Sequence, residues 1–152
     1  MRRAAVFASL TLLVVGLELP AANARPASHA STPACTISGT AGDDIIFGTT
    51  GSDVICGLGG NDMIDGKSGN DVIYGDAGRD TLSGGGGNDV LYGGTGNDRL
   101  QGDSGRDRIY GGPGNDMIWA WDGSADRLYG GPGTDRAWKD RLDRFTGIER
   151  FG

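Results

Sequence analysis

The chain has little of what most catalytic and transition-metal sites require. Its 152 residues include one histidine, His29, two cysteines and few aromatic side chains. The sequence contains no H-E-x-x-H motif, no G-x-S-x-G motif and no EF-hand spacing. Without repeated imidazole or thiolate ligands, a transition-metal site is not expected, and His29 lies alone in a Pro/Ser-rich stretch. We therefore expect the protein not to be an enzyme.

Long hydrophobic runs are also lacking, apart from one at the N-terminus. Two arginines precede an apolar stretch at 4–17, and an A-x-A cleavage site follows at 22–24. This order predicts a secretory signal peptide at 1–24. A membrane anchor is the alternative, but a span needs about 20 apolar residues. Residues 25–38 begin rich in Ala, Ser and Pro and are predicted to form a flexible leader. We expect a secreted, extracellular protein with no membrane span.

Charge of one sign is not concentrated enough to indicate nucleic-acid binding. The formal net charge is −6, and the acidic excess lies before residue 99. Beyond it, arginines alternate with aspartates, which predicts that no single-sign patch forms. Nucleic acid is therefore not an expected partner.

Glycine, in contrast, is abundant and regularly spaced. There are 30 glycines, and from Gly39 to Trp119 the unit G-x-x-G-x-D-x-U-x recurs every nine residues, with U aliphatic. Its first six positions favour a turn, because glycine adopts conformations closed to other residues. Its last three favour a short strand with U facing inward. A unit of nine residues cannot form a core alone, so the units must stack.

The stacking predicts the fold class. Two repeats make one coil with two strands and two turns, and successive coils form two parallel sheets around an Ile/Leu interior. The predicted fold is all-β, a parallel β-roll (two-sheet β-solenoid) of nonapeptide repeats over 39–138. Residues 139–152 lack the glycine pair and are predicted to form a C-terminal cap; their apolar side chains are Leu142, Phe145, Ile148 and Phe151.

The last position of alternate repeats predicts an aromatic column on one outer face. These residues are Cys56, Tyr74, Tyr92, Tyr110 and, after a one-residue insertion, Tyr129. Strands in one sheet would place them about 4.8 Å apart. Two interpretations remain open. The column stiffens the sheet, or the face of Tyr74, Tyr92 and Tyr110 docks the N-terminal segment or an extracellular partner.

The repeated aspartate predicts metal sites in the turns. Carboxylates and glycine-turn carbonyls offer oxygen ligands only, which suits Ca²⁺ with its six to eight oxygens. Stacked carboxylates would repel one another, so several bound calcium ions should be linked to folding. The candidate ligands are Asp44, Asp53, Asp62, Asp71, Asp80, Asp89, Asp98, Asp107, Asp116 and Asp135.

Some positions depart from the unit. The second position is not glycine in several repeats, where weaker sites are expected: Thr40, Thr49, Leu58, Lys67, Asp76 and Asp103. The insertion displaces Asp126, so a ligand role for Asp126 is not expected. In an exported chain, Cys35 and Cys56 are expected to form a disulfide, with two unpaired thiols as the alternative.

The unit resembles the RTX nonapeptide, the hemolysin-type calcium-binding repeat. Residues 84–92 and 93–101 match its signature throughout. The resemblance implies a parallel β-roll that folds outside the cell on binding calcium. It also implies ions held between turns two repeats apart, pairing Asp44 with Asp62, Asp53 with Asp71, and so on. The expected function is calcium binding by a secreted, non-enzymatic structural or surface module; the alternative is an adhesion or partner-binding protein using the Tyr/Val face.

Overall fold

The structure consists of short parallel strands wound into a solenoid. A computed structural model describes residues 34–152; the predicted signal peptide and residues 25–33 of the predicted leader lie outside the described residues. The strands are β1 Ile37–Ser38, β2 Ile45–Phe47, β3 Val54–Cys56, β4 Met63–Asp65, β5 Val72–Ala77, β6 Thr81–Gly86, β7 Val90–Thr95, β8 Arg99–Ser104, β9 Arg108–Tyr110, β10 Met117–Ala120, β11 Arg127–Tyr129, β12 Arg136–Lys139, β13 Arg144–Thr146 and β14 Arg150–Phe151.

The strands form two seven-stranded sheets of simple order. The odd-numbered strands make up sheet A and the even-numbered strands make up sheet B. Each strand pairs in parallel with the strand two further along the chain, and Ile55 faces Ile73 in a typical register of 18 residues. The parallel β-roll predicted from the nonapeptide period is confirmed. Residues 34–152 contain no helix that could cross a membrane.

The aliphatic position of each repeat fills the interior between the sheets. Side chains alternate across a strand, so one residue in each three-residue strand points inward. The inward residues are Ile46, Ile55, Ile64, Ile73, Leu82, Leu91, Leu100, Ile109, Ile118, Leu128 and Ala137. Burying each Ile or Leu stabilises the roll by roughly 1.5–3 kcal/mol. The core is therefore a single file of aliphatic residues, with one layer per strand.

The two consensus glycines allow successive coils to approach closely. A Cβ on Gly75, an opening glycine, would lie 2.5 Å from both Asp80 Oδ2 and the carbonyl oxygen of Gly93. A Cβ on Gly87, a fourth-position glycine with φ of 139°, would collide with the carbonyl oxygen of Gly69. A side chain at either position would push neighbouring coils apart.

The outer face of sheet A carries the tyrosine column that the spacing predicts. Neighbouring rings stack with centroids 4.9, 4.8 and 4.7 Å apart, in the order Tyr74, Tyr92, Tyr110 and Tyr129. Tyr74 is only 4% exposed, whereas Tyr129 at the other end is 36% exposed. The rings mostly cover one another, which supports a role in packing sheet A.

Both ends of the roll add coils beyond the regular repeats. Ile37–Ser38, inside the predicted leader, pairs with β3, and a disulfide joins Cys35 to Cys56. At the other end, β13 and β14 continue the two sheets, so Phe145 and Phe151 occupy inward register positions. The segment predicted to cap the roll thus extends it by a final coil.

Candidate metal centre

The repeated aspartates form two rows of hydrogen bonds along the edges of the roll. In each row, Oδ1 of one aspartate accepts the N–H of the aspartate one coil earlier; Asp53 donates to Asp71, and Asp71 to Asp89, both at 2.8 Å. One row comprises Asp53, Asp71, Asp89, Asp107, Asp126 and Asp143. The other comprises Asp44, Asp62, Asp80, Asp98, Asp116, Asp135 and finally Glu149. We call these rows the aspartate ladders.

The second oxygen of most ladder carboxylates is buried without a hydrogen-bond donor. These atoms are Oδ2 of Asp62, Asp71, Asp80, Asp89, Asp98, Asp107, Asp116, Asp126 and Asp135. Each of these residues is at most 2% exposed. A buried carboxylate oxygen with no donor is costly, so it requires a proton or a cation.

Burial raises the pKa of these carboxyl groups. The pKa of Asp107 rises to about 8 and that of Asp80 to about 7. It rises to about 6 for Asp89, Asp98, Asp116 and Asp126. Loss of solvation is the largest cause and neighbouring carboxylates add to it, while the ladder N–H bond acts in the opposite direction. The metal-free ladder is therefore electrostatically unfavourable near neutral pH.

The first two turns differ from all those that follow. Asp44 Oδ2 accepts hydrogen bonds from the N–H of Thr40 at 2.6 Å and from its hydroxyl at 2.9 Å. Asp53 Oδ2 accepts the same pair from Thr49, at 2.7 and 2.9 Å. These bonds lower the pKa of Asp53, with the N–H of Thr49 as the largest cause. Threonine thus supplies the donors that the later turns lack.

Backbone conformation at the second repeat position explains the contrast. From the third repeat onward the second position is left-handed; Leu58, for example, has φ of 81°. In such a turn the second N–H bonds to another coil, as Gly94 does with the carbonyl of Gly111 at 3.1 Å. Thr40 and Thr49 do not adopt this conformation, and their N–H groups remain for their own aspartates. Four non-glycine residues accept the left-handed strain: Leu58, Lys67, Asp76 and Asp103.

The structure places Asp126 fully in the ladder, where the sequence gave no ligand role to it. Its Oδ1 accepts the N–H of Asp107 at 2.9 Å, and it is 1% exposed. The inserted residue is absorbed around Ala120, which replaces the opening glycine and extends β10 by one residue. The insertion changes the count along the chain but leaves the carboxylate in register.

Two acidic residues at the C-terminal end also join the ladders, and sequence reasoning missed both. Asp143 accepts the N–H of Asp126 through Oδ1 and the N–H of Asp140 through Oδ2. Glu149 accepts the N–H of Asp135 at 2.6 Å. The repeat pattern has ended there, so no spacing marks these residues. Asp143 ends its ladder with both oxygens hydrogen-bonded.

A further row of polar side chains runs beside the ladders and was also missed. Asn70 Oδ1 accepts the N–H of Asn88 at 2.7 Å, and Asn88 Oδ1 accepts that of Arg106 at 2.9 Å. The signal was the asparagine that precedes the aspartate in many repeats. These exposed bonds fix the outer side of each turn and so help to hold the buried aspartates in place.

The donor set suits a hard cation that also takes main-chain ligands. Within residues 34–152, no three His, Cys, Asp or Glu side chains converge as a metal-binding group. Carbonyl oxygens do approach the unpaired carboxylates; the carbonyl of Gly93 and Asp80 Oδ2 flank the same point above Gly75. Calcium accepts such mixed, irregular oxygen shells. The unpaired Oδ2 atoms therefore fit calcium, provided that backbone oxygens complete the shell.

A parallel roll with a buried carboxylate in each turn defines a repeat protein of the calcium-binding β-roll class. The family model of the RTX calcium-binding nonapeptide repeat (4 copies) matches residues 36–64, 57–91, 65–100, 92–124 and 122–138. These matches span most of the chain, which therefore belongs to the RTX calcium-binding nonapeptide repeat family. A search of curated proteins finds no match to the sequence.

Proposed function

We propose that the protein is a secreted, non-enzymatic β-roll that folds on binding Ca²⁺ and serves as an extracellular structural or surface module. The observation that carries the proposal is the row of buried Oδ2 atoms without donors. Membership of the RTX family supports calcium as the cation. The signal-peptide pattern in the sequence supports export.

The proposed calcium ligands are the ladder carboxylates whose Oδ2 has no donor. They are Asp62, Asp71, Asp80, Asp89, Asp98, Asp107, Asp116, Asp126 and Asp135. The set adds Asp126 to the residues predicted from the sequence. It leaves out Asp44 and Asp53, because Thr40 and Thr49 already occupy the oxygens that an ion would need.

Calcium binding should be coupled to folding because the sites exist only in the stacked roll. Each ladder joins carboxylates from successive coils, and the unfolded chain does not bring them together. An ion that binds only the folded state stabilises that state by mass action. Without calcium, the buried carboxylates oppose the same stacking.

The proposal is tested by a calcium titration of the mature chain, residues 25–152, followed by far-UV circular dichroism. We expect a cooperative change from coil to β-structure, with a midpoint on the order of 0.1–1 mM as in other extracellular sites. Magnesium at equal concentration serves as the control and should produce little change. A chain fully folded in chelator and unaffected by calcium would overturn the proposal.

A further inference from the structure

The register of sheet A brings three arginines into one line on its outer face. Arg108 pairs with Arg127, and Arg127 pairs with Arg144, in adjacent parallel strands. All three are exposed, and none forms an ion pair with a carboxylate of residues 34–152. We call this line the arginine column.

The column corrects the expectation that no single-sign patch forms. In the sequence these arginines alternate with aspartates, such as Asp107 and Asp126. In the fold those aspartates turn into the buried ladder and are 1% exposed, whereas the arginines point outward. Neutralisation along the chain therefore does not carry over to the surface.

The arginine column borders two concave surfaces. On the turn side lies a groove of about 610 Å³, to which Arg106 and Leu142 also contribute. On the strand side, Tyr129 and Phe145 line a second hollow of about 380 Å³ together with Arg127 and Arg144. The guanidinium groups thus stand on a ridge that a thin, extended ligand could follow on either side.

We propose that the arginine column binds an acidic polysaccharide that carries one uronate carboxylate on each sugar ring. Strands in a sheet lie about 4.8 Å apart, so the column offers one positive group at each such step. An extended uronate chain advances by about one ring over the same distance. Arginine suits this ligand because its planar donors match a carboxylate bidentately.

Other polyanions match the column less well. In an extended acidic peptide, side chains on one face repeat at about 6.6 Å, out of step with the rungs. Duplex DNA needs a broad positive surface, whereas this protein has a net charge of −6 and one narrow positive line. A polysaccharide also accords with the extracellular location proposed above, although its binding requires only the folded roll.

The test uses the calcium-folded protein and a galacturonate hexamer, measured by calorimetry at fixed free calcium. Replacing Arg108, Arg127 and Arg144 together by serine should weaken binding at least about tenfold. The matched control replaces Arg99 and Arg136, which lie on sheet B at the same repeat position with Met117 between them. That control should stay within about twofold, because its arginines are not in consecutive rungs. Circular dichroism in the same buffer verifies folding, and Arg127→Ser alone replaces the triple variant if the latter is unstable.

Three results would overturn the proposal: no binding of the hexamer by folded wild-type protein, equal losses in the column and control variants, or tighter binding of duplex DNA. A protein that fails to fold with calcium would instead contradict the proposed function. Binding that weakens with added salt and is absent with a neutral maltohexaose would support the column.

Discussion

Thr49 donates both its N–H and its hydroxyl to Asp53 Oδ2, at 2.7 and 2.9 Å. Asp89, two coils further along the same ladder, has an Oδ2 that is equally well placed in its turn but meets no donor. The same residue type at the same repeat position thus has two different electrostatic requirements. The threonine turn is complete without metal, and the later turn is not.

This contrast predicts unequal effects of one substitution at the two positions. Asp89→Asn should remove a calcium ligand, lower the number of bound ions and raise the calcium midpoint severalfold. Asp53→Asn is the matched control and should leave ion number unchanged, since Thr49 already occupies that oxygen. Equilibrium dialysis with elemental analysis measures both. Equal losses of calcium in the two variants would contradict the assignment of the first turns as metal-free.

Adjacent glycines predict a sharp difference in stability. Gly87→Ala should destabilise the calcium-bound roll by more than about 2 kcal/mol, because its φ is 139° and the new Cβ would collide with the carbonyl of Gly69. Gly86→Ala has ordinary backbone geometry, and its nearest contact is Ser104 Oγ at 3.6 Å. Urea unfolding should show a change of less than about 1 kcal/mol for Gly86→Ala. Similar losses in both variants would argue against the close stacking of coils at Gly87.

The metal-free protein should become more stable as the pH falls. The folded-state pKa values of Asp107 and Asp80, about 8 and about 7, lie above the ordinary value of 3.8. The folded chain therefore binds protons more tightly than the unfolded chain, so the penalty present at high pH is released as pH falls through these values. In chelator, β-structure should increase between about pH 8 and about pH 4.

Calcium should reverse this pH dependence. Protons and calcium compete for the same carboxylates, so the calcium midpoint should rise as the solution is acidified. Circular dichroism titrations at several pH values measure the shift. A midpoint independent of pH, with a metal-free chain that loses structure on acidification, would contradict the role assigned to the buried Oδ2 atoms.

The disulfide should stabilise the first coil. Cys35 and Cys56 are separated by 21 residues, and closing a loop of this size contributes on the order of 3 kcal/mol. The paired substitution of both cysteines by alanine should lower stability by about that amount. Thermal unfolding with calcium present tests this, and a reduced wild-type sample serves as the control. No change in either sample would show that the first coil is held by its β1–β3 pairing alone.

The regular part of the fold was predictable because one period determines both turn and strand. Ile73 and Tyr74 face opposite sides of β5, and their repetition at 18 residues predicts a core and a tyrosine column. The candidate carboxylates were likewise predictable from a fixed position in each unit. Their individual states were not, because whether Thr49 turns its N–H toward Asp53 depends on backbone conformation that the repeat alone does not define.

The rest required knowledge of register between distant residues. Asp126 breaks the nine-residue count, yet an extra residue in the turn after β10 restores its place opposite Asp107. Arg127 and Arg144 are 17 residues apart in a region without the repeat, so only strand pairing shows that they are neighbours. The sequence indicates which residues recur, and the fold decides which of them share an environment.

The most direct test of the account is a crystal structure grown with calcium, with anomalous diffraction data to identify the ions. Calcium density should lie beside Oδ2 of ladder residues from Asp62 to Asp135, with carbonyl oxygens completing each shell. No ion should touch the Oδ2 atoms of Asp44 and Asp53, where Thr40 and Thr49 donate instead. A folded roll with no calcium at the buried carboxylates would contradict the central claim.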